Sequence, residues 1–91
     1  MKVRKHVWIR GELKGTFFRL SLMSQAKLLA ITGWVRNVYD GLECMFEGDE
    51  EMVHDMIEFC RSGPDNIIIK EVQVEEGKYR AEFKEFAIRD R

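Results

Sequence analysis

Two side chains in this sequence are well suited to gripping an oxyanion. Arg19 stands where an apolar helical stripe begins, and Asn37 closes the β-rich run Gly33-Trp34-Val35-Arg36-Asn37. Ahead of Arg19 runs Gly11-Glu12-Leu13-Lys14-Gly15-Thr16-Phe17-Phe18, a glycine-bearing link from a strand to a helix. An oxyanion needs converging donors, and a loop freed by Gly11 and Gly15 can turn several backbone N–H groups towards one point. The start of the next helix adds unpaired N–H groups and the positive end of its dipole. Arginine adds a permanent charge on a planar fork that fits a phosphate bidentately. Folded that way, the loop is a phosphate site.

The elements that must position these groups follow from periodicity. His6, Trp8 and Arg10 alternate with Val7 and Ile9, the pattern of a half-buried strand ending at the loop. Phe18, Leu22, Ala26 and Leu29 then form one apolar stripe, which predicts a helix over 18–30. Residues 33–38 read as a second strand, with Trp34 and Val35 on opposite faces. Tyr39-Asp40-Gly41 signals a hairpin, and 42–47 returns as a third strand. Gly48-Asp49-Glu50-Glu51 opens a second helix whose stripe is Val53, Met56, Ile57 and Cys60, and Gly63-Pro64 stops it. Residues 67–75 form a fourth strand, Glu76-Gly77 a turn, and 78–86 a closing strand.

The order β-α-β-β-α-β, with an extra terminal strand, is that of a ferredoxin-like split β-α-β sandwich, an α+β fold with two helices on one face of an antiparallel sheet. A right-handed crossover makes strands one and two parallel, with strand three threaded between them. Their C-terminal ends then share one edge, so Asn37 can face a ligand held in the loop that precedes Arg19.

The 91 residues make one domain, 1–91, with no linker or repeat. A formal net charge of -1 argues against duplex DNA, whose binding neutralises many phosphates, but permits a small anion held at a local positive spot. Cys44 and Cys60 lack redox or zinc spacing and read as two buried thiols in a reducing compartment. No apolar run has the length of a signal peptide or a membrane span, and a cytoplasmic protein without membrane contact is expected.

The two site blocks resemble the acylphosphatase family, whose signature has the form G-x-V-Q-G-V-x-F-R, followed by G-W-V-x-N and D-G. Gly11, Gly15, Phe18 and Arg19 match the first block, Gly33, Trp34, Val35 and Asn37 the second, and Asp40-Gly41 the third. The resemblance runs from about residue 7 to about residue 88. It implies a monomer that hydrolyses the carboxyl–phosphate bond of acyl phosphates, with neither metal nor cofactor and no covalent intermediate. Arg19 would pair with the phosphate oxygens, and the backbone N–H groups of Leu13, Lys14, Gly15, Thr16, Phe17 and Phe18 would complete the cradle. The Asn37 amide would hold the attacking water. The ligands implied are an acyl phosphate or inorganic phosphate, with no nucleic acid. Leu13-Lys14 replaces the family's Val-Gln, Thr16 a Val, and Ala30 a Gly after the first helix, which at a left-handed position costs on the order of 1 kcal/mol.

Other residues have plainer readings. Arg36 is a solvated strand residue, Trp34, Phe18 and Phe46 belong to the core, and His54 lies on the surface without a second metal ligand. Two alternatives to an enzyme stand: a non-catalytic anion-sensing or protein-interaction domain of the same fold, and, more distantly, an RNA-binding domain. Lys14-Gly15-Thr16-Phe17-Phe18 faintly resembles the aromatic RNA-binding motif, but that motif belongs on the third strand.

Overall fold

The computed structural model describes residues 1–13, 17–65 and 67–90. Its elements are β1 (Lys2–Glu12), α1 (Phe17–Leu28), β2 (Thr32–Val38), β3 (Gly41–Asp49), α2 (Glu50–Ser62), β4 (Ile68–Gly77) and β5 (Phe86–Arg89). The strands form one sheet in the order β4-β1-β3-β2-β5. Strand β3 is antiparallel to both β1 and β2, so these two run the same way with β3 between them. The order expected from sequence is present. At the far edge β5 lies parallel to β2, which makes the sheet mixed rather than wholly antiparallel.

Period-two burial decides which face each strand residue takes. Val7, Ile9, Val35, Leu42, Cys44 and Phe46 point to one face, where they meet Phe18, Leu22 and Ala26 of α1 and Val53, Met56 and Cys60 of α2. Both helices therefore cover that face. The first turn of α2 carries Glu50 and Glu51 at the positive end of its dipole. Asp49 stands at the N-cap without a side-chain cap bond, and the N–H of Glu50 donates to the Met1 carbonyl instead.

Helix α1 closes with two reversed hydrogen bonds. The N–H of Ile31 donates to the Ala26 carbonyl at 2.8 Å, and that of Ala30 to Lys27 at 3.2 Å. This Schellman pattern forces a left-handed residue between helix and strand, and Ala30 takes it with φ 55°.

The sheet's other face departs most from the sequence reading. Residues 78–85 were expected to begin the closing strand, but they form an irregular strap across this face and β5 starts only at Phe86. A buried carboxylate explains the strap. Glu47, 1 % exposed, accepts the N–H groups of Arg80 (2.8 Å) and Glu82 (3.0 Å), and Arg4 Nη1 at 3.0 Å. Ala81, between the two donors, has φ 51°, which turns both N–H groups inward as an anion nest.

Two plain readings also fail on this face. Arg36 is not simply solvated, since its Nε donates to Glu43 Oε1 at 2.7 Å, while His6 Nε2 lies 2.6 Å from Oε2. Trp34 lies outside the helix-side core, half-buried, with the guanidinium carbons of Arg89 and Arg36 at 4.8 and 5.9 Å from its ring. Opposite β-residues of one strand go to opposite faces, and Val35 holds the core position. Phe18 and Phe46 are fully buried and His54 is exposed, as read.

Candidate active site

Pairing register brings the two candidate side chains to one end of the sheet. Leu42 of β3 is paired with Ile9 of β1 on one side and with Asn37 of β2 on the other. Asn37 thus lies in the same row as Ile9, two strand spacings or about 10 Å away. It shares a face with Val35, Leu42 and Ile9, which is the face the helices cover. Three residues after that row β1 ends at Glu12.

Helix α1 returns from this end and packs against β2 and β5. Because it runs back against the direction of β1, its first turn lies at the edge where β1 and β2 finish. Arg19 is in that turn, 9 % exposed, and its Nε is buried with no hydrogen-bond partner among the described residues. No acidic residue accompanies it in the first turn, unlike in α2. A cation there faces the positive end of the helix dipole, away from water and with an orphan donor. Each of these costs is relieved by one bound anion.

Beside these residues opens a concavity of about 620 Å³, lined by Arg10, Gly11 and Leu13 of the first strand and its exit, Asn37–Gly41 of the hairpin, and Lys70 of β4. Leu13 and Asn37 share it; Arg19 is not part of its described lining. Phe18 is anchored in the core, so it can serve a ligand only through its backbone, whereas the Phe17 side chain is exposed. Lys14, Gly15 and Thr16 lie outside the described residues. Gly11 is required by close approach, since a Cβ there would come within 2.1 Å of the Ile68 carbonyl oxygen.

Comparison with known proteins identifies the family. The acylphosphatase family model matches residues 5–88. The chain belongs to the acylphosphatase family. It is 42 % identical over 88 residues to the acylphosphatase of Pelotomaculum thermopropionicum, covering 96 % of each chain. Its identity to that of Syntrophobacter fumaroxidans is 46 % over 88 residues, covering 96 % of this chain and 91 % of the other. The acylphosphatase structure from Coxiella burnetii superposes with a TM-score of 0.90 at 28 % identity, over 97 % of this chain and 93 % of that one.

As an acylphosphatase the protein is an enzyme that cleaves the carboxyl–phosphate bond of acyl phosphates to a carboxylate and inorganic phosphate. Nothing in these comparisons favours the non-catalytic alternative. Among the described residues no helix is long and apolar enough to cross a membrane. Sequence reading did not single out Arg10, Tyr39, Asp40 or Lys70 as lining this concavity. The Asp40-Gly41 turn beside Asn37 was a signal for Tyr39 and Asp40; Lys70 had none.

Proposed function

We propose that Arg19 and Asn37, with the backbone N–H groups of residues 13–18, carry out the hydrolysis without a metal and without a covalent intermediate. The observation that carries this reading is the buried Arg19 guanidinium, without a partner at Nε among the described residues and facing an uncompensated helix N-terminus. The phosphoryl dianion binds between guanidinium and loop amides. Water held by the Asn37 amide attacks phosphorus as the acyl oxygen–phosphorus bond breaks, and the electron pair departs on the carboxylate. The amide can accept one hydrogen bond and donate another, which orients the water without taking its proton. That proton passes to the transferring phosphate or to the product carboxylate. Catalysis here is positioning and electrostatic stabilisation, the main demands of phosphoryl transfer.

A cytoplasmic monomer belongs to the same proposal. Cys44 and Cys60 are free, buried thiols, which suits a reducing compartment, and one chain supplies every proposed site residue.

Hydrolysis of benzoyl phosphate in the presence of a chelator tests the reading, with Arg19→Ala beside the parent. The parent turns over with the chelator present. Arg19→Ala loses at least about 100- to 1000-fold in rate, the scale for one preorganised oxyanion donor. Inorganic phosphate raises the parent's Tm by mass action but not the variant's. Activity that requires added metal, or undiminished phosphate stabilisation of Arg19→Ala, refutes the assignment.

A further inference from the structure

We infer that Lys70 reads the acyl half of the substrate and favours acyl groups that carry a second, distal carboxylate. The inference rests on the active-site reading given above, because it takes the concavity beside Asn37 as the place where the acyl group lies.

A fault in strand pairing puts Lys70 there. In β4, Glu71 pairs with Arg10 and Ile69 with Gly11, so Lys70 is an extra residue opposite no partner in β1. Val72 and Val74 are half-buried towards the core, and strict alternation would send Lys70 the same way. The bulge lets Ile69 pack against the core instead, and Lys70 is left exposed at the end of the sheet, lining the concavity. Bulges commonly re-aim a side chain in this manner at functional edges.

The charges around the concavity do not cancel. Arg10 Nε donates to Asp40 Oδ2 at 2.8 Å, and Arg10 Nη1 lies 3.9 Å from Glu71. Its charge is thus answered within the protein. Lys70 makes no ion pair among the described residues, which leaves one unanswered positive charge on the lining. Strand order sets the distance. Lys70 and Asn37 stand on strands three spacings apart and two residues apart along the sheet, about 16 Å between backbones, and a lysine side chain reaches roughly 6 Å. The remaining gap of several ångströms matches a short carbon skeleton with the anhydride at one end and a carboxylate at the other.

The test compares 4-carboxybenzoyl phosphate with benzoyl phosphate, a rigid pair differing by one distal carboxylate. The readout is the ratio of their kcat/KM values. Lys70→Met, which keeps the stem and removes the charge, lowers the ratio about 2- to 5-fold, the worth of one exposed ion pair. Lys70→Glu lowers it further, Lys70→Arg preserves it, and added salt shrinks the parent's preference towards that of Lys70→Met. A ratio equal in parent, Lys70→Met and Lys70→Glu overturns the role of Lys70 while leaving the active-site reading intact. A parent that hydrolyses neither compound overturns both.

Discussion

Replacing Ala30 by glycine should stabilise the protein, and the structure gives the size of the effect. Ala30 is the left-handed residue of the α1 cap, at φ 55°, fixed by the hydrogen bonds of Ile31 to Ala26 and of Ala30 to Lys27. A side chain in that conformation costs about 1–2 kcal/mol through contact of Cβ with the following carbonyl. Glycine removes the clash but loses more backbone freedom on folding, about 0.5–1 kcal/mol. Ala30 is exposed, so no apolar burial is forfeited. The net gain lies between zero and about 1.5 kcal/mol, with a midpoint of about 0.75 kcal/mol, or about 3–6 °C in Tm for a domain of this size. Thermal unfolding of Ala30→Gly and parent, followed by circular dichroism without phosphate, measures it. The paired variant Ala30→Val should lose stability, since a β-branched residue tolerates positive φ poorly. An unchanged or lowered Tm for Ala30→Gly would refute the argument that backbone strain is stored at this cap.

Asn37→Ala should cut turnover of benzoyl phosphate on the order of 100-fold, the cost of a misplaced reactant, while phosphate affinity from competitive inhibition stays near the parent's. Equal losses in turnover and phosphate affinity would reassign Asn37 from water to phosphate. For Glu47, burial alone would raise the carboxyl pKa, but the N–H groups of Arg80 and Glu82 and the Arg4 guanidinium outweigh it and hold the group below its ordinary 4.5. A depressed folded-state pKa contributes stability above the unfolded value and loses it as pH falls through the folded one. Glu47→Gln should therefore lower Tm at pH 7 and flatten its fall below pH about 4.5 relative to the parent. Parallel Tm curves for the two proteins would remove Glu47 from the account. Burial pushes the Cys60 thiol up to about 12 and the Cys44 thiol higher than usual, so a thiol reagent at pH 8 should label neither until the chain unfolds. Labelling of the native protein at the rate of an exposed thiol would contradict that burial.

Local pattern was enough to read most of this fold, and the misses share a cause. The alternation of Val7 and Ile9, the stripe of Phe18, Leu22 and Ala26, and the Asp40-Gly41 turn each declare an element within a few residues. Handedness of the crossover then brings Asn37 to the end where Arg19 begins α1. The strap over 78–85 was misread because its backbone donors are captured by Glu47, more than thirty positions away, and no local alternation reports such a partner. Arg36 and Trp34 were misjudged for a similar reason. Glu43 reaches Arg36, and His6 and Arg89 reach Trp34, from three other strands. Lys70 was invisible because its exposure depends on a pairing fault created against Gly11.

That fault has a second consequence, for how the molecule meets copies of itself. A sheet with two free margins invites strand-on-strand addition unless each margin is made unattractive. On one side β4 has a break in its pairing register at Lys70 and carries Lys70, Glu71, Glu75 and Glu76; on the other β5 spans only Phe86–Arg89 and bears Arg89. An incoming strand meets an irregular, charged border or one too short to hold its register. The irregularity that brings Lys70 to the concavity thereby also guards the sheet against fibrous self-association.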